Sequence, residues 1–152
     1  MRGLESIDLH FDLEEAPADV WRALTDPKLL EAWLMPNNII PVVGHKFTFK
    51  SKPMGDWDGI AYCTLTEVVP QRKLQYQWQA KKEPATGEYG FDTLLTFTLT
   101  PNPDGGTHMH LLHEGFQPGD FALKVMGDGW RSNTITRISA ALRGEPLNAR
   151  CD

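Results

Sequence analysis

The feature that narrows this chain most is a change of rhythm. Over residues 4–13, and in most stretches between Gly44 and Phe116, apolar residues recur at every second position. From about Asp120 to Arg143 they recur at every third or fourth. Period two buries one face of a strand, and the longer period buries one stripe of a helix. In LESIDLHFDL, Ile7, Leu9, Phe11 and Leu13 share one side, and Asp8, His10 and Asp12 the other. KFTFK puts Phe47 and Phe49 together, and KLQYQWQ aligns Leu74, Tyr76 and Trp78 against three glutamines. Trp57 to Val69 reads as a long strand closed by Pro70, and Thr93 to Thr100 points Leu95, Phe97 and Leu99 inward. THMHLLHEGF reads as the last strand, broken by Gly115 to Gly119. Pro53 to Asp56 and Asn102 to Gly106 mark turns, and the polar KKEPATGEYG marks a hairpin loop.

Two short helices interrupt the strands early. Pro17 opens PADVWRAL, because a first helical turn has no use for the missing N–H, and Val20, Trp21 and Leu24 share a face. Asp26 caps the second, KLLEAWL, with Pro27 in its first turn. The long helix presents Leu123, Met126, Trp130, Thr134, Ile138 and Leu142 as one stripe, and Gly144 with Pro146 ends it. Gly127 and Gly129 lie inside that helix, each ~1 kcal/mol less favourable than alanine, which makes Asp128 an alternative to Asp120 as its start. The order is β-α-α-β-β-β-β-β-α, with room for one further short strand. Hairpin connections make the sheet antiparallel, and helices segregated to one face make an α+β fold in one domain, with an ordered core over about residues 4–144. The five tryptophans agree with a curved sheet wrapped around the long helix. Trp21 and Trp33 sit in the short helices, Trp57 and Trp78 in strands, and Trp130 in the long helix. Such a wrap leaves room for a cavity.

Charge and cysteine usage exclude several classes. Net charge is −5 with signs interspersed and no block of like charges, so neither nucleic acid nor an anionic membrane is an expected partner. Cys63 and Cys151 form neither a metal spacing nor a disulfide framework, which fits a reducing, cytoplasmic location. The first fifteen residues lack the apolar stretch of a signal peptide, and no apolar run approaches the ~18 residues of a membrane span.

His108, His110 and His113 suggest a metal, but strand parity puts His113 on the face opposite the other two. His108 and His110 with His10 or Asp8 of a neighbouring strand could reach a surface ion, yet a polar, solvated sheet face is the simpler reading, and no metal or cofactor is expected. His113 shares parity with Met109 and Leu111 and so points towards the helix, where it needs a partner: Trp130, Asn133, Thr134 or a ligand. It is either a satisfied core histidine or the polar anchor of an apolar pocket. The inward strand faces carry almost no carboxylates, and Asp92 and Glu114 fall near strand ends. There is no nucleophile elbow, Gly127-Asp-Gly-Trp130 is not a phosphate loop, and Cys63 faces inward, where a thiol is inert. This argues against catalysis. Parity and helical spacing together nominate a ligand-binding set of Phe47, Phe49, Tyr76, Trp78, Phe97, Met109, Leu111, His113, Met126 and Trp130.

The order of elements resembles the helix-grip fold of the START and Bet v 1 superfamily. Local motifs are similar to the branch related to the C-terminal domain of the activator of Hsp90 ATPase. They are APADVWRALTDPKLLEAW at 16–33, GHKFTF at 44–49, EVVPQRKLQYQW at 67–78, LTFTLTP at 95–101, GTHMHLLHEGF at 106–116 and GDGWRSNTITRISAAL at 127–142. His45 departs from the small residue common there, which affects only the local turn. The resemblance implies a seven-stranded sheet gripping the C-terminal helix, its first strand beside its last, and a pocket for a small hydrophobic or aromatic molecule. It transfers no catalytic residue. Two other roles follow from the superfamily: contact with a chaperone, weakened because the chain lacks the additional N-terminal domain of the eukaryotic activator, and a polyketide cyclase-like activity, weakened by the missing inward acid or base.

Overall fold

A computed structural model describes residues 5–50, 59–83, 88–116 and 121–144. The elements run β1 (Glu5–Leu13), α1 (Pro17–Thr25), α2 (Pro27–Trp33), β2 (Lys46–Lys50), β3 (Ile60–Val69), β4 (Lys73–Glu83), β5 (Glu88–Pro101), β6 (Thr107–Phe116) and α3 (Phe121–Leu142). All pairs are antiparallel, in the order β1-β6-β5-β4-β3-β2, so the first strand does lie beside the last. Among the described residues the sheet has six strands rather than the seven that the resemblance implies, and Asn37 adds a single bridge to Phe49 beyond β2. The arrangement is a helix-grip α+β fold.

Alternation works as the periods require. Phe47 and Phe49 on β2, Leu74, Tyr76 and Trp78 on β4, Leu95, Phe97 and Leu99 on β5, and Met109, Leu111 and His113 on β6 are all buried on one side. The α3 stripe of Trp130, Thr134, Ile138 and Ala141 closes on them. The short helices form as their caps dictate. Ala16 precedes Pro17, and the Asp26 carboxylate accepts from the Lys28 N–H at 2.9 Å. The Trp33 indole N–H donates to the Ala23 carbonyl at 2.7 Å and locks α2 onto α1.

The long helix begins at Phe121, where the change of rhythm near Asp120 places it, and Gly127 and Gly129 lie inside it without delaying the start, because packing against the sheet and α2 overrides a local propensity penalty. The polar hairpin loop is far shorter than expected: β4 and β5 stay paired out to Glu83 and Glu88. The third strand is described only from Ile60. The expected positions of Trp57, of the Pro53 to Asp56 turn, of Pro146 and of Cys151 lie outside the described residues, as do the side chains of Leu123 and Asn133.

A local irregularity at the end of β6 shapes the inner face beside His113. Glu5 pairs with Phe116 and Ser6 with Glu114, so Gly115 is the extra residue of a bulge. Its φ is +104°, and a Cβ there would lie 3.1 Å from the Asp92 carbonyl oxygen, so both conformation and space demand glycine. The extra residue restores Phe116 to the inner face, with its ring centroid 4.7 Å from that of His113.

Candidate functional site

The concave face is filled with rings. Phe47 packs edge-on against Phe49 and Tyr76 at centroid distances of 5.4 and 5.1 Å, and Phe49 stacks on Trp78 at 4.9 Å. Phe97 and Trp78 each meet the Trp130 ring edge-on, at 6.2 and 6.3 Å, the geometry that aromatic quadrupoles favour. Phe47, Phe49, Tyr76, Phe97, Met109, Leu111 and His113 are thus placed in the packed core.

A cavity of about 360 Å³ opens beside this core rather than within it. Its walls are Trp33, Leu34 and Met35 from the end of α2, Trp78 from β4, and Met126, Asp128, Gly129, Trp130, Ser132, Thr134 and Arg137 from α3. Asp128, Gly129 and Ser132 are exposed, so the cavity reaches solvent along α3. Of the ten residues nominated from the sequence, Trp78, Met126 and Trp130 line it, and the other seven are buried in the core and do not. Sequence reasoning missed Trp33, Leu34, Met35 and Arg137. For Arg137 there was a signal, since it continues the spacing of Met126, Trp130 and Thr134 and puts a charge at the edge of an apolar stripe. For the end of α2 there was none, because its approach to α3 is a tertiary contact.

His113 finds its partners on both sides. The Trp130 indole N–H donates to His113 Nδ1 at 3.2 Å, so the ring proton sits on Nε2. That N–H donates to the Thr93 hydroxyl at 2.8 Å, and the hydroxyl donates to the Trp78 carbonyl at 2.9 Å. The chain therefore runs from α3 across β6 and β5 to β4 and uses both imidazole nitrogens. Burial pushes the His113 pKa down to about 3, so the ring is neutral. Thr93, a link in this chain, was not singled out from the sequence. Burial likewise pushes the Cys63 thiol and the Tyr76 phenol well above their ordinary ranges, and both stay protonated. The cavity thus offers aromatic and thioether surface, lined also by the buried Thr134 and by Arg137, whose guanidinium donates to the Trp33 carbonyl at 3.5 Å.

A six-stranded antiparallel sheet closed on a C-terminal helix, with a cavity beside that helix, defines the START and Bet v 1-like class of helix-grip domains. The family described as activator of Hsp90 ATPase homolog 1-like protein matches residues 15–143, and the chain belongs to that family. Protein MLL2253 from Mesorhizobium loti is 32% identical over 97% of this chain and 99% of its own, with a TM-score of 0.72. The Aha1 dimer from Colwellia psychrerythraea shares the fold at 18% identity, over 92% of this chain and 98% of that one, with a TM-score of 0.73. CalU16 from Micromonospora echinospora does so at 22% identity, over 96% of this chain and 79% of that one, with a TM-score of 0.69. A comparison with curated proteins finds no match. Among the described residues no helix is long and apolar enough to cross a membrane.

Proposed function

We propose that the protein binds a small apolar or aromatic molecule in the cavity between α2, α3 and β4. The observation that carries this reading is an opening of about 360 Å³ faced by Trp33, Trp78 and Trp130 and lined also by Arg137. Small-molecule sites have about this size, with mostly apolar walls and few polar groups. Trp78, Met126 and Trp130 of the sequence-derived set make direct contact, joined by Trp33, Leu34 and Met35. Phe49, Phe97 and His113 hold those walls in place from behind. Arg137 favours a ligand with a polar or anionic end. Acid–base catalysis is not part of the proposal, because both His113 nitrogens are engaged and Asp128 sits exposed at the rim, 3.8 Å from Arg131.

The test uses the anionic aromatic fluorophore ANS at neutral pH. Saturable one-to-one binding is expected, weakened at least tenfold in Gly129→Phe. Position 129 lines the cavity, and a Cβ there meets nothing within 4 Å, so the new ring has room to occupy the opening without disturbing the fold. Unchanged ANS affinity in a variant with native circular dichroism would refute the assignment.

A protein-contact role, the second reading, is favoured by one observation. Ile40, Val42 and Val43 precede β2 and are more than half exposed, at 54%, 58% and 58%. Apolar side chains exposed together mark interaction surfaces. If they engage a chaperone, Val42→Asp will abolish any effect of this protein on the ATPase rate of purified Hsp90 and leave ANS binding intact.

A further inference from the structure

We propose that the outer face of the β1–β6 ladder binds one divalent transition-metal ion through His10 Nε2, His110 Nε2 and the Asp8 carboxylate. This site lies on the side of the sheet away from the cavity and does not depend on the function assigned there.

Register makes the juxtaposition. His10 pairs directly with His110, Asp12 with His108, and Asp8 with Leu112, all on the solvent side of their strands. The His10 and His110 rings stack with centroids 4.3 Å apart and planes 1° from parallel. One donor atom from each of Asp8, His10 and His110 lies within 4.8 Å of the other two. Asp8 Oδ1 stands 2.7 Å from His110 Nε2 and 3.5 Å from His10 Nε2. In a tetrahedral shell with bonds of about 2.0–2.1 Å, neighbouring donors stand ~3.3 Å apart, so these three need to move by no more than about 1.5 Å. Turning exposed side chains is enough, and the strands stay in place.

The hydrogen bonds also set the tautomer that a metal requires at His10. The Asp12 carboxylate can only accept, so His108 donates to it from Nδ1, at 2.9 Å. Neutral His108 then carries its lone pair on Nε2, which lies 3.0 Å from His10 Nδ1. His10 therefore donates Nδ1–H, and its own Nε2 lone pair is directed to the Asp8 side. Two acceptors, His10 Nε2 and Asp8 Oδ1, face each other across 3.5 Å, an arrangement that a cation between them would relieve. At present His110 carries its ring proton on Nε2 and donates it to Asp8, and when the ion binds there that proton passes through water to Nδ1, so that neutral His110 offers its Nε2 lone pair. A carboxylate that orients a ligand-bearing histidine is a recurrent supporting arrangement at metal centres, here relayed through His108. Two imidazoles and one carboxylate with an open coordination position suit zinc, nickel or copper rather than magnesium or calcium.

The experiment is calorimetric titration of protein purified without a histidine tag, using copper, nickel or zinc chloride alone. Saturable binding is expected, with copper tightest and magnesium giving no heat. His10→Ala and His110→Ala should each weaken it at least tenfold, while His45→Ala, at the opposite edge of the sheet, leaves it unchanged. Copper added to the labelled wild-type protein should broaden amide signals on β1 and β6 first, a readout that needs no variant to fold. Absence of saturable binding, wild-type affinity in the His10 or His110 variant, or broadening centred away from these strands would each overturn the proposal.

Discussion

Strand β6 carries the same residue type on its two faces with opposite consequences. His113 points inward, is fully enclosed and is held neutral between Trp130 and Thr93. His108 and His110, an odd number of residues away, point outward and bond the carboxylates of Asp12 and Asp8. Hydrogen bonds from His108, and then from Asn102, hold the Asp12 carboxyl below the usual carboxylate range. The inner face turns imidazole into a structural link, while the outer face leaves it free to take a cation. Environment, set by parity alone, divides the two chemistries.

The largest test of that division is Trp130→Ala. The residue anchors α3 to the inner face, donates to His113, and borders the cavity with part of its ring. Full burial of such a ring would make its loss worth ~3–5 kcal/mol, and the neighbouring cavity reduces this to ~2–3 kcal/mol. Chemical denaturation measures it, and a loss under ~0.5 kcal/mol would mean that the helix does not grip this face.

Acid should separate the faces next. Folded His113 stays neutral down to about pH 3, whereas in the unfolded chain it takes up a proton near its ordinary value of 6.5. Its contribution is therefore whole above pH 6.5 and declines as pH falls from there towards 3, by ~1.4 kcal/mol per unit, or ~2 kcal/mol by pH 5. Urea titrations at pH 7.5 and 5 should give a shallower pH dependence for His113→Gln than for the wild type. Equal slopes would show that this histidine is not kept neutral.

The smallest expected effect lies outside. His10→Ala, made without added metal, should change stability by less than ~0.5 kcal/mol, because its ring is exposed and its partners can turn to water. A loss approaching that of Trp130→Ala would erase the contrast between the faces.

How far each feature was legible depends on the range of the interactions that make it. Inward residues such as Phe47, Tyr76, Trp78 and Leu111 were readable because burial of a strand face is written in every second residue. The Asp26 cap and the turn at Asn102 to Gly106 were readable because their hydrogen bonds close within two to four residues. The helix start was readable near Asp120 from the change of period, but Asp128 stayed a second candidate, because the penalty at Gly127 and Gly129 is local and the packing that overrides it is not. The same holds for the long β4–β5 hairpin, whose polar ends are paired by a ladder that alternation of hydrophobicity does not reveal.

Periodicity, turns and caps in the sequence were enough to determine the α+β order and the inner face of each strand, as well as the stripe by which α3 meets the sheet. Tertiary structure alone decided where space was left over. Rings fill the sheet centre, and the opening falls where the end of α2 meets α3, more than ninety positions away in the chain. It also decided that His10 stacks on His110, since their pairing depends on the β1–β6 register. Periodicity is a property of neighbours along the chain. Cavities and clustered ligands come from distances between elements, and those are set only when all the side chains pack at once.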